Sequence, residues 1–241
     1  MKTIVCSAAL LAATSGAALA ADFNAAYNNV FNGQGGITVT TNAGTASHSG
    51  GHIQFVYGAG GSPAGMAAGQ FVGPAGSTFN TFCVEIGQGV TTAQKGWDIV
   101  DLASAPNPTT GGANPNNPNS YGPSIATAIK KVVAAAIGLD WIHEDLSLEN
   151  ATTAELAAIQ GEIWAAVYGN ASYAGGALST AATTLANTVT AGTYGSSVKG
   201  LRAMVNGQFQ DQLYVVPLPP AAFAGLATLV GIAGVGRLRR R

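Results

Sequence analysis

The sequence predicts an α+β protein, a mostly antiparallel β-sheet or sandwich with a helical section packed on it, plus a C-terminal transmembrane helix. Three observations carry that expectation. Short runs rich in β-branched and aromatic residues, punctuated by Gly clusters, lie before Leu102 and return just ahead of the C-terminal tail. Between Ser124 and Tyr168 the apolar residues recur at helical spacing. The run from Ala221 to Val235 carries no charge and is followed at once by Arg237, Arg239, Arg240 and Arg241, an arrangement that holds the positive cluster on the cytoplasmic side of a membrane.

Residues 1–20 read as a secretory signal peptide. Lys2 gives the positive start, Ile4 to Ala13 the apolar core, and Ala18-Leu19-Ala20 a small-x-small cleavage site. This implies the Sec export machinery as a partner and a mature chain beginning near Ala21. Residues 21–214 then form one domain, long enough to bury a core. All eleven acidic residues of the chain lie between Asp22 and Asp211. Of the ten basic residues only Lys95, Lys130, Lys131, Lys199 and Arg202 fall in this part. The mature protein is therefore acidic, which argues against nucleic acid and anionic membrane surfaces as partners. Cys6 departs with the signal peptide, leaving Cys83 as a single cysteine with no internal disulfide partner.

Along the domain, Ile37 to Thr41 and His52 to Tyr57 are expected strands, with the Gly runs at 33–36, 50–51 and 58–61 as turns. His48 and His52 lie across one of those turns with no third ligand nearby, so they read as exposed loop histidines and no metal site is expected. Thr78 to Ile86 and Gly96 to Leu102 are further strands, and the Pro- and Asn-rich stretch from Ala105 to Pro123 is a solvated loop. A helix is expected from Ser124, its cap, to a stop at Gly138. The carboxylates Glu144, Asp145 and Glu149 sit on a polar connector. Thr152-Thr153-Ala154-Glu155 is a capping box. It opens a helix whose stripe is Leu156, Ile159, Ile163, Trp164 and Val167 and which ends at Gly169. Leu178 to Val189 and Val198 to Val205 are weaker helices, and Gln208 to Val216 a last strand.

Gln160 interrupts that stripe. It lies four residues after Leu156 and four before Trp164, on the buried face. A buried amide needs partners. One reading has it hydrogen-bond a loop backbone. The other joins it to Cys83: the sulfur attacks the side-chain carbonyl, ammonia leaves, and an internal thioester remains for an incoming amine to open. Gly161 would leave room beside Gln160, and Phe82 and Trp164 would shield the bond.

Two resemblances attach to these residues. Phe82-Cys83-Val84-Glu85 resembles the aromatic-Cys motif of bacterial internal-thioester domains, and Gln160-Gly161-Glu162-Ile163-Trp164 is similar to their Gln-x-x-Ile-Trp helix motif; the likeness spans residues 78–169. It implies covalent attachment to amine-bearing targets. The tail, residues 215–241, resembles the bacterial PEP-CTERM sorting signals, with Val216-Pro217-Leu218-Pro219-Pro220 similar to their VPLPA subtype. That implies an exosortase-like protease, a transient inner-membrane anchor, and a final place at the cell surface or outside the cell. As a helix the apolar run rises only about 24 Å, short of the roughly 30 Å of hydrocarbon in a bilayer, which suits a temporary anchor. No phosphate loop, zinc cysteine pair, nucleophile elbow or cofactor motif occurs. The expectation is therefore a surface or extracellular-matrix protein and not an enzyme. A noncovalent, polysaccharide-associated matrix role is the alternative, and a secreted hydrolase a remoter one.

If the tail is a sorting signal, mass spectrometry of exported protein will find no peptide from Leu226 to Arg241. Intact tail in mature surface material would overturn that reading.

Overall fold

The computed structural model describes residues 23–41, 44–58, 73–106 and 120–216. The signal peptide, the segment 217–220 of the proline motif, the apolar run and the four terminal arginines lie outside these. Among the described residues no helix is long and apolar enough to cross a membrane. The expected transmembrane helix falls outside them.

The described chain is mostly antiparallel sheet with three helices. In order it runs β1 (Phe23–Thr41), β2 (Gly44–Tyr57), β3 (Thr78–Thr81), β4 (Lys95–Val100), a 3-10 turn (Leu102–Ser104), α1 (Gly122–Gly138), α2 (Thr153–Tyr168), β5 (Ser172–Tyr173), α3 (Ala177–Ala191), β6 (Leu201–Asn206) and β7 (Phe209–Val215). The strands are ordered β3-β2-β1-β4-β6-β7, with β5 added to β1. The two ends of this order meet. β3 pairs with β2 as far as Thr81 opposite Ile53. Its continuation then pairs with β7: Val84 N–H donates to the Asp211 carbonyl at 2.9 Å and Leu213 N–H to the Phe82 carbonyl at 2.8 Å. The sheet thus curls until its two ends meet, at the bridge between Cys83 and Gln212. Phe23, Tyr57, Phe79 and Tyr214, from four different strands, pack within it, and the Tyr57 and Tyr214 hydroxyls hydrogen-bond at 2.8 Å. On the outside α2 lies against β1 and β2, and α1 and α3 pack on α2.

Several elements differ from expectation. The Gly runs at 33–36 and 50–51 are not turns. They lie inside one long hairpin, where Gly33 stands opposite Gly51 and Gln34 opposite Gly50. A Cβ on Gly33 would fall 2.7 Å from the Gly51 Cα, so glycine serves close backbone approach here. Gly36 has φ of 103° at an irregularity in the pairing, and of the run at 58–61 only Gly58 is described. The histidines are strand residues of β2, and His52 is 4 % exposed. Regular pairing of the Thr78 to Ile86 strand with β2 stops at Thr81, because the chain crosses there to β7. The strand expected to Leu102 ends at Val100, and Asp101 caps the 3-10 turn by accepting from Ala103 N–H. Ser124 is not the cap of α1. Tyr121 holds that position without a side-chain bond, and Pro123 presets the first turn. The polar connector after α1 buries Trp141, Ile142 and Leu146, while Glu144, Asp145 and Glu149 face solvent. Val198 to Val205 is not a helix. After Gly200, at φ of 71°, the chain enters β6, whose pairing with β7 outweighs local preference.

The helix best marked in the sequence forms as expected. Glu155 N–H donates to Thr152 Oγ1 at 3.3 Å, Thr152 N–H donates to Glu155 Oε2 at 2.7 Å, and Gly169 closes α2 at φ of 78°. Thr152→Ala will lower unfolding stability by about 1 kcal/mol, read from the denaturant midpoint. An unchanged midpoint would show that the box does not hold the helix start.

Candidate functional site

Gln160 projects from α2 toward the sheet and is 1 % exposed. It fits because Gly50 of β2 lies beneath it: a Cβ there would approach Gln160 Cγ to 3.0 Å and Cβ to 3.1 Å and would collide with Ile37. The Gln160 amide meets Cys83, and it meets the backbone of Cys83 on both sides. Cys83 N–H donates to Gln160 Oε1 at 2.8 Å, and Gln160 Nε2 donates to the Cys83 carbonyl at 2.6 Å. The reason is geometric. Cys83 and Gln212 face each other in an antiparallel bridge whose hydrogen bonds are made by Phe82 and Val84. The N–H and C=O of Cys83 therefore point away from β7, toward where another strand would lie. The carboxamide of Gln160 takes the place of that strand. The two residues singled out in the sequence thus meet through the backbone of Cys83.

The Cys83 side chain turns to β7. Its thiol donates to Gln210 Oε1 at 2.9 Å, and Gln212 Nε2 donates to the sulfur at 3.7 Å. Both glutamines are held in turn. Gln210 Nε2 donates to the Glu85 carbonyl, Gln212 Nε2 also to the Gln210 carbonyl at 2.9 Å, and Thr81 Oγ1 donates to Gln212 Oε1 at 3.0 Å. Burial pushes the Cys83 thiol up to about 12, against the Gln212 hydrogen bond, which lowers it. At neutral pH the sulfur is a thiol.

A cavity of about 160 Å³ opens onto this point, with Cys83, Gln160, Gln210, His48, Trp164 and Phe31 on its wall. Trp164 lines it, edge-on to the His48 ring at 5.7 Å between centroids. Its indole Nε1 is buried without a hydrogen-bond partner among the described residues. Desolvation lowers the pKa of His48, favouring the neutral ring. Phe82 instead packs on His52, 5.3 Å between centroids. His52 Nε2 donates to the Leu146 carbonyl at 2.6 Å, which fixes its tautomer. The space at Gly161 is filled by Tyr173, whose hydroxyl would lie 2.9 Å from an added Cβ and donates to Glu162 at 2.7 Å. Gly161 therefore admits Tyr173, and the room for Gln160 comes from Gly50. Val216, at the start of the proline motif, donates its N–H to the Gly200 carbonyl at 3.0 Å. Pro217, Leu218, Pro219, Pro220 and the arginines are outside the described residues. Among those residues no three His, Cys, Asp or Glu side chains gather as a metal site.

Sequence reasoning missed Gln210 and Gln212. Their signal was there: Gln208, Gln210 and Gln212 alternate through a strand read only for its apolar side. Comparison with family models, with curated proteins and with solved structures finds no match.

Behind the sulfur lies an acid pair. Asp211 N–H donates to Glu85 Oε1 at 3.1 Å, and Asp211 Oδ1 accepts from Asn206 N–H at 3.0 Å. Burial, together with the Glu85 charge, pushes Asp211 up to about 8, and burial raises Glu85 as well. An acid whose pKa is raised by folding stabilises the fold while it is protonated. Its contribution is full below the unfolded value of about 4 and is lost as pH rises toward 8. Wild type will therefore lose melting temperature relative to Asp211→Asn as pH rises between those values. A difference that stays constant or changes in the other direction would contradict this account of the pair.

Proposed function

We propose that this chain is an exported cell-surface or matrix protein that captures an amine-bearing target covalently, through a thioester between Cys83 and Gln160. The observation that carries the proposal is the paired hydrogen bonding of the Gln160 amide on Cys83 at the wall of a small cavity. It keeps a carboxamide beside a cysteine on rigid elements, out of bulk water, with a donor already on the carbonyl oxygen. Sulfur bonds to the Gln160 amide carbon, the C–N bond breaks, and ammonia leaves with the thiol proton. Cys83 N–H, 2.8 Å from Oε1, supports the negative charge that develops on that oxygen. Burial then protects the thioester from hydrolysis. An amine entering the cavity forms an amide at Gln160, and the sulfur takes back a proton as thiol. Export and sorting rest on the two terminal segments, and the target class on the resemblance to thioester domains.

A second reading has its own support. The thiol is satisfied by Gln210, and both ends of the Gln160 amide are occupied by backbone. On that reading the two residues only close the sheet, and the protein is a noncovalent matrix component.

Intact mass separates the two. The thioester reading expects purified domain lighter by one ammonia, with Cys83→Ala and Gln160→Ala each restoring the full mass. Methylamine will add at Gln160 and release one thiol for labelling. Full mass together with a thiol that labels in untreated native protein would leave the noncovalent reading.

A further inference from the structure

The thiol's own partner is not Gln160. Cys83 S–H donates to Gln210 Oε1 at 2.9 Å, so the oxygen of a second buried glutamine stands beside the sulfur, on the wall of the same cavity. Resting on the thioester reading, we propose that Gln210 is the residue that receives the attacking nucleophile and selects for amines.

In the free thiol state Gln210 Oε1 has a donor in Cys83 S–H. Thioester formation sends that hydrogen away with ammonia, and the departing nitrogen is the Gln160 Nε2 that donates to the Cys83 carbonyl, so that carbonyl loses its donor as well. The sulfur keeps its contact with Gln212 Nε2, since that bond is donated to the sulfur. Gln210 loses its only described donor to Oε1, while its Nε2 stays tied to the Glu85 carbonyl, so the amide is held in orientation. A buried acceptor without a donor is costly. The oxygen lies one hydrogen bond from the sulfur, and hence close to the acyl carbon that the sulfur carries. A primary amine attacking that carbon uses its lone pair for the new bond and still has N–H groups to offer. One of them replaces the missing S–H on Gln210. A thiolate attacking the same carbon brings no hydrogen and gains nothing there.

The ligand class that fits the acceptor left at Gln210 is a primary amine.

The test compares two nucleophiles of similar size on intact protein. Methylamine and methanethiolate are added to wild type and to Gln210→Met, a substitution that keeps bulk and removes the acceptor, and acyl transfer is followed by intact mass. Both proteins should start lighter by one ammonia. The expected result is capture of methylamine slowed about fivefold to tenfold in Gln210→Met, the worth of one neutral hydrogen bond, with methanethiolate transfer unchanged. Equal slowing of both nucleophiles would make Gln210 a structural residue and overturn the inference, as would no slowing of either. A Gln210→Met protein that folds but keeps its ammonia would also overturn it, by placing Gln210 in bond formation. Wild type that lacks the mass deficit would instead defeat the thioester reading, and this inference with it. Should Gln210→Met fail to fold, Gln210→Asn draws the oxygen back by one methylene and gives the same comparison with the amide retained.

Discussion

One residue's main chain holds this structure in register. Cys83 lies between two neighbours that bond to β7, while its own N–H and C=O face the other way. Buried without partners, those two groups would cost about 1–3 kcal/mol each. Gln160 satisfies both with one side chain. Because Gln160 belongs to α2, the same pair of bonds ties the helical layer to the place where the curled sheet closes. The helix must then lie at a fixed height and rotation. Its capping box and left-handed Gly169 set its ends, and Gly50 gives the stem of Gln160 room to descend.

That dependence explains which features the sequence revealed. α2 was legible because its signals are local: a cap, an apolar stripe and a terminal glycine within one stretch. The Cys83 and Gln160 pair was legible from residue type, a lone cysteine and an amide on a buried face. The glycine-rich hairpin was not. Glycine marks turns most often, but in β1 and β2 it is placed for the close approach of backbone to backbone and of helix to strand, and only the tertiary structure shows that. β6 was misread for a related reason, since Leu201 to Asn206 is fixed by pairing on both sides, with β4 and β7. His52 looked like a loop residue because its partner, the Leu146 carbonyl, is 94 residues away.

The stripe of polar side chains inside this seam is unusual for so buried a place. Thr81, Cys83, Gln210 and Gln212 form a connected set, each giving or receiving a hydrogen bond within it. Such a set is tolerable only when its members are satisfied. It also gives the sulfur a polar setting that an apolar core would deny it, while burial keeps the thiol protonated.

The closure of the sheet also sets an order of events. The partners of Cys83 arrive from far along the chain: Gln160 is 77 residues later, and the sulfur's neighbours on β7 follow by 127 and 129. Contacts so distant in sequence are slow to form, because a long stretch of chain must be ordered to make each one. A chain that emerges from its N-terminus first carries an unattended cysteine until its final strand is available. Only once β7 is available can cysteine, glutamine and the thiol's neighbours exist together, so the topology withholds the site until nearly all of the described domain has been made.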